Sequence, residues 1–278
     1  MGGYLRPRVL DEALTALGLA PRVVLAGGTD YYPARVGRAP DDDILDITGI
    51  DALRGIGRDG DFIRIGAGAC WADLAAADLP RACDGLKAAS AQIGGVQVQN
   101  AGTVVGNLCN ASPAADGIPN LLALDALVEL TSRGGIRRVA VHEFITGNRA
   151  TTRRLDELAT AILLPVPPAA ARGCFLKLGA RSSLVISIAM VAGVLVPAPD
   201  GTVAAARLAV GACSPVACRL PALEAALTGR RIGPDLADLV APEQLSPLSP
   251  ISDVRADAFY RLDAVPVLLR RVLRELAA

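Results

Sequence analysis

The sequence predicts an α+β protein built in two parts, and three features of its patterning carry that prediction. Residues 9–47 run helix, strand, loop, strand, which suggests a small unit with parallel pairing. From about residue 50, half-buried strands alternate with Ala- and Leu-rich helical segments, up to a cluster of Pro165, Pro167 and Pro168. Beyond the prolines, three long apolar runs read as an antiparallel sheet and the tail reads as helices. The expected division is 1–168, itself split near residue 50, and 169–278.

Each element has a local reason. Val9, Leu10, Ala13, Leu14 and Leu17 recur at helical spacing, with Gly18 and Pro21 as the stop. "RVVLAGG" is a short buried strand, and Ile44, Leu45 and Ile47 mark the next one. "FIRIGAGA" alternates as a half-buried strand does, and "WADLAAADLPRACDGLKAASAQIG" is helical in its Ala and Leu spacing. "IPNLLALDALVELTS" turns from helix to strand, "GIRRVAVHEF" starts another strand, and "LATAILLPVPP" closes the block. "CFLKLGAR", "LVISIAMVAGVLVP" and "VAAARLAVGACSP" are the three antiparallel strands. "CRLPALEAALTG", "GPDLADLVAPEQL" and "DAFYRLDAVPVLLRRVLREL" form the helical tail.

Composition excludes several functions. With 28 Lys+Arg against 28 Asp+Glu and only 3% aromatic residues, nothing marks a nucleic-acid partner. No apolar run approaches the length of a transmembrane helix and no signal-type h-region is visible, so the expected compartment is cytoplasmic. The six cysteines contain no C-x-x-C pair and His142 is the only histidine, so no metal site is expected within this chain. No constellation suggests a catalytic acid, base or nucleophile.

Two glycine-bearing stretches stand out. "LAGGTD" follows a strand, and Gly27-Gly28 either makes a tight turn or lets successive backbone N–H groups converge on an anion. Thr29 adds a hydroxyl donor, and Asp30 is expected to hold the loop's own N–H groups. Residues 99–119, "QNAGTVVGNLCNASPAADGIP", read as a long loop, and loops of that length tend to be functional. Thr103 and Asn107 offer donors there for a pyrophosphate, and Asp116 offers an acceptor for ribose or ribityl hydroxyls. Two such stretches favour an extended dinucleotide lying between subdomains. The literal G-x-G-x-x-G at Gly55–Gly60 leads into a strand pattern, so it reads as a hairpin turn and not as a dinucleotide fingerprint.

Taken in order, "VLAGGTDYYP", "LDITGIDALRGI", "IGAGACWADL", "QIGGVQVQNAGTVVGNLCNASPAADGIPNLLALDA", "CFLKLGAR" and "PISDVRADAFYRLDAVPVLLRRVL" resemble the FAD-binding medium subunit of molybdenum hydroxylases, the group of xanthine and carbon monoxide dehydrogenases. The resemblance implies a two-subdomain vanillyl-alcohol-oxidase-like (PCMH-type) FAD-binding fold followed by a C-terminal domain of antiparallel sheet and helices. It implies non-covalent FAD in this chain, with molybdopterin in a large partner subunit and two [2Fe–2S] clusters in a small one. The complex would be a dimer of heterotrimers that passes electrons through this flavin to an external acceptor. A standalone FAD oxidoreductase of the same fold is the alternative, and a non-catalytic nucleotide-binding module a third reading.

By motif, the resemblance places Val24, Leu25, Ala26, Gly27, Gly28, Thr29, Asp30 and Tyr31 around the pyrophosphate, with Tyr31 toward the flavin end. Ile93 would pack near the flavin, and Thr103, Gly106 and Asn107 would line the second phosphate segment. Asp116 would bind a sugar hydroxyl, Lys177 would contact the flavin, and Leu158 and Ala159 would touch the isoalloxazine. Read without the resemblance, Lys177 is a surface lysine. The chain departs from the family pattern at Val105, in place of a glycine, a position where positive φ or close approach would disfavour a β-branched side chain. Gln99 and Val36 stand where an arginine and a lysine are common, and Phe259 replaces a small residue.

Overall fold

A computed structural model of the chain describes residues 2–37 and 41–278. Strands β1 (Tyr4–Leu5), β2 (Val23–Leu25) and β3 (Ile44–Asp46) form a parallel sheet in the order β1-β3-β2. Helix α1 (Leu10–Leu19) buries Ala13, Leu14, Ala16 and Leu17, the face its spacing marks. Ile47, expected in the second strand, instead opens a short 3-10 turn, because the Asp46 carboxylate accepts from Thr48 N and bends the chain.

The second sheet is antiparallel throughout, in the order β4-β5-β10-β6-β7. Its first hairpin, β4 (Ile56–Asp59) and β5 (Phe62–Gly66), contains Gly57 and Gly60 of the literal fingerprint, with Gly60 at φ 58° in the turn and Gly55 just before β4. Helices α2 (Trp71–Ala76), α3 (Asp84–Ser90), α4 (Val96–Ala101), α5 (Val104–Asn110) and α6 (Gly117–Ala123) follow. Strands β6 (Leu127–Ser132) and β7 (Gly135–Ala140), helix α7 (Val141–Phe144) and the small ribbon of β8 (Ile145–Gly147) and β9 (Ala150–Thr151) lead to β10 (Leu158–Pro165). His142, in a segment whose sequence reads as a strand, sits on α7. The central strand β10 is buried from Leu158 to Leu164, which is why its sequence is a continuous apolar run.

The third sheet joins β11 (Arg172–Leu178), β12 (Ala189–Pro197), β13 (Val203–Gly211) and the short β14 (Cys218–Arg219), all antiparallel. Both faces of this sheet are covered. Met190, Ala192 and Val194 pack into the core shared with the rest of the chain. The alternate residues Ala189, Val191 and Leu195 pack against α8 (Pro221–Leu227) and α9 (Ala258–Ala277) in a second core. Two-sided burial accounts for the near-absence of polar residues in β12. Between α8 and α9, the tail runs through 3-10 turns at Pro234–Leu239 and Pro242–Leu245.

Arg261 pins α9 to this sheet. It is 3% exposed, and its guanidinium donates to Ile188 O at 2.5 Å, Ala212 O at 2.9 Å and Asp253 Oδ1 at 2.7 Å. Replacing it with methionine removes three bonds and leaves two buried carbonyls without a donor. Arg261→Met is expected to destabilise the protein by about 2–4 kcal/mol in denaturant titration. The Asp253 carboxyl is held down to about 2 by the backbone N–H of Arg255, assisted by Arg255 and Arg261. A depressed carboxyl contributes stability that is complete above its unfolded value of about 4 and is lost as pH falls toward 2. The stability gap between wild type and Asp253→Asn is therefore expected to be flat from about pH 5 to 8 and to close below about pH 4.

Candidate functional site

The first glycine stretch leaves β2 at Leu25 and turns beside the end of α4. Gly27 has no room for a side chain, because a Cβ there would lie 1.9 Å from Ala101 O and 2.5 Å from its carbonyl carbon. Gly28 adopts φ 68°, the left-handed conformation that glycine tolerates. Among the described residues, the backbone N–H groups of Gly27, Gly28, Thr29, Asp30 and Tyr31 have no acceptor. The carbonyls are engaged instead: Gly28 O accepts from Tyr32 N at 3.1 Å, and Asp30 O accepts from Ala34 N at 3.3 Å. Five successive free amides along a cleft wall are the kind of donors that an anion-binding nest uses.

Asp30 corrects an expectation. Its side chain is exposed and takes none of these N–H groups, so the carbonyl bonds of the following turn hold the loop. Tyr31 is anchored to the first sheet's surroundings. Its hydroxyl donates to Asp42 Oδ2 at 2.8 Å, and the Arg35 guanidinium covers its ring at 3.8 Å. The Tyr31 hydroxyl, followed by Arg35, holds the Asp42 carboxyl below the usual range against the effect of burial.

The second stretch, 99–119, is mostly helical, and only 111–116 between α5 and α6 keeps the expected loop. Helices α4 and α5 are joined at a corner, Gly102-Thr103, and α5 buries Val104, Val105 and Leu108 while no residue of α4 is buried. Thr103 caps α5, accepting from Gly106 N at 3.0 Å, as threonine does at helix starts. A Cβ on Gly106 would lie 2.6 Å from Thr103 Oγ1. The corner is stitched to the strand β5 exit, with Trp71 N donating to Gly102 O and Val104 N to Ala69 O, both at 3.1 Å. Val105 lies inside α5, 3% exposed, so neither positive φ nor an open approach is required of it. The conformational objection to valine at this position does not hold.

Lys177 is not a surface lysine. Near the end of β11, with its side chain 6% exposed, it donates to Asp116 Oδ2 at 2.6 Å and to Val185 O at 3.1 Å. The other oxygen of Asp116 accepts from Ser187 Oγ at 2.6 Å.

These segments surround a cleft of about 780 Å³. Every residue that the resemblance places at the cofactor lines it: Val24 through Tyr31, Ile93, Thr103, Gly106, Asn107, Asp116 and Lys177, together with Leu158 and Ala159. Gln99 does not line it, and its side chain donates to Ala91 O at 3.3 Å. Sequence reasoning missed Arg22, Arg149 and Arg153, which add cations to the wall, and the loop residues Val185 and Ile186. Arg22 directly precedes β2, so its nearness to the glycine turn was readable. Arg149 reaches the wall through the β8–β9 turn, where it has φ 55° and donates to Asn110 Oδ1 at 2.8 Å, a placement that only the fold reveals. Cys109 also lines the cleft, and burial pushes its thiol up to about 11, so it stands there as a neutral group. Free amides, several cations and apolar walls together suit an elongated, anionic, partly aromatic ligand, and the volume lies in the usual range for such sites.

Comparison with known proteins agrees with this geometry. The family described as the FAD binding domain in molybdopterin dehydrogenase matches residues 1–167, and the CO dehydrogenase flavoprotein C-terminal domain matches residues 175–276. The chain is 29% identical to the nicotine 6-hydroxylase medium subunit of Paenarthrobacter nicotinovorans, covering 99% of this chain and 97% of that one. It is 30% identical to the glyceraldehyde dehydrogenase medium chain of Sulfolobus acidocaldarius, over 99% and 98% of the two chains. Among solved structures, reconstituted CO dehydrogenase from Oligotropha carboxidovorans superposes with a TM-score of 0.91 at 28% identity, covering 100% of this chain and 97% of that one.

The close contact at Gly27 makes a prediction. Gly27→Ala is expected to destabilise the protein by about 1–3 kcal/mol, the usual range for overpacking, because a backbone carbonyl cannot yield. Gly28→Ala is expected to lose about 1–2 kcal/mol from its left-handed φ. Denaturant unfolding of both variants measures the two effects.

Proposed function

Because the chain belongs to the family of FAD-binding medium subunits of molybdenum hydroxylases, a family of oxidoreductase subunits, we propose that its cleft holds FAD non-covalently. The single observation that carries this reading is the row of free amides from Gly27 to Tyr31, which would receive the pyrophosphate. Val24, Leu25 and Ala26 would back that row, and Thr103, Gly106 and Asn107 would face it from the α4–α5 corner. Asp116 retains lone pairs for a sugar hydroxyl. Ile93, Leu158, Ala159 and Lys177 would surround the flavin ring. On this reading the FAD-binding part is 1–168, divided near residue 50, and 169–278 closes the flavin end.

Bound FAD supplies an electron relay between the [2Fe–2S] clusters of a small partner subunit and an external acceptor. Oxidation of substrate belongs to the large molybdopterin subunit. This agrees with a chain whose cleft carries cations and amides suited to holding a cofactor. The assembly would be a dimer of heterotrimers in the cytoplasm.

FAD titration of the purified chain, followed by flavin absorbance and by gel filtration, tests the proposal. One FAD per chain, released intact by acid precipitation, is expected. A chain that stays colourless and retains no added FAD contradicts it. Asp116→Ala is expected to weaken FAD binding by about 1–3 kcal/mol, because it leaves Lys177 and Ser187 without their shared acceptor.

A further inference from the structure

A buried ion pair joins the C-terminal sheet to the rest of the chain at the cleft wall. Asp116 precedes α6, Lys177 belongs to β11 and Ser187 precedes β12. The Asp116 and Lys177 side chains are each 6% exposed, and Ser187 is 1% exposed. Each carboxylate oxygen of Asp116 has one donor, Lys177 Nζ at 2.6 Å and Ser187 Oγ at 2.6 Å. Lys177 also donates to Val185 O at 3.1 Å. An ammonium has three N–H groups, so one remains uncommitted among the described residues. The cleft that Lys177 lines also carries apolar side chains, Ile93, Leu158, Ala159, Val185 and Ile186. Stability gives little reason to keep such a pair, since desolvating two charges offsets most of their attraction. A charge held rigidly against an apolar cleft has a different use: in low dielectric it acts strongly on any change of charge in the ligand beside it.

We propose that Lys177 sets the reduction potential of the bound flavin, with Asp116 and Ser187 as positioning residues that fix its ammonium and offset its charge. This rests on the reading that the cleft holds FAD. Reduction adds electrons to the ring, so an adjacent cation favours the reduced form and an adjacent anion disfavours it. The two members of the pair therefore act on the flavin with opposite sign. Removing Lys177 leaves the Asp116 carboxylate facing the ring. Removing the Asp116 charge leaves the ammonium without its counterweight.

The test is the midpoint potential of the flavin in the full chain at saturating FAD. It is measured by spectroelectrochemistry at one fixed pH for every variant. Lys177→Met is expected to lower the potential and Asp116→Asn to raise it. Lys177→Arg should stay near wild type, and the Asp116→Asn/Lys177→Met double variant should fall between the two single variants. Damage to the fold would move both single variants the same way, toward free flavin, so opposite shifts separate the proposal from a structural role. Lys177→Gln carries the same expected fall and serves if Lys177→Met does not retain FAD. Potentials that do not move, or that move with the same sign in both single variants, overturn the inference. A wild-type chain that binds no FAD overturns the proposed function instead, and the two failures are distinguishable.

Discussion

The site depends on one contact, the approach of the bare backbone of Gly27 to the carbonyl of Ala101. The first residue belongs to the turn after a parallel strand, the second to the end of α4, more than seventy positions later. Because no side chain separates them, the free amides after Gly27 and the capped start of α5 face one cleft. The corner beyond Ala101 is itself tied to the second sheet by the bonds from Trp71 and Val104. The small parallel sheet is thereby registered against the larger antiparallel one, and the cleft is the space left between them.

The C-terminal sheet completes the cleft from the other side. Its inner face continues the main core through Met190, Ala192 and Val194, and α8 and α9 cover its outer face. The Lys177–Asp116 pair lies where this sheet meets the cleft. Apolar burial therefore fixes the sheet's position, while the buried polar cluster fixes the charge it presents. Arg261 does the equivalent work where β12 begins and β13 ends, satisfying carbonyls that would otherwise be buried without donors.

Much of the fold was legible because burial patterns are local. The continuous apolar runs of β10 and β12, the alternation in β5 and the helical spacing of α1 each state how many faces are covered. Residues 99–119 read as a loop because glycine, threonine and asparagine suggest turns, yet Thr103 is there a local helix cap and α5 and α6 occupy much of the stretch. At the cleft, the glycine pair and the residues around Thr103 were legible by type and spacing. Which backbone groups are left free was not, nor was the pairing of Asp116 with Lys177 across 61 positions. Spacing names donors and acceptors, but only the fold decides which of them satisfy each other. Arg149 and Arg153 escaped notice for the same reason, since the short β8–β9 ribbon brings their segment to the wall.

The central claim is that the backbone from Gly27 to Tyr31 grips the cofactor's diphosphate. Amide hydrogen exchange across this segment, measured with and without FAD, tests it most directly, because these N–H groups have no acceptor among the described residues. The account predicts rapid exchange in the cofactor-free chain and strong slowing across residues 27–31 when FAD is added. Unchanged exchange there, with FAD bound and protection appearing elsewhere, would contradict it.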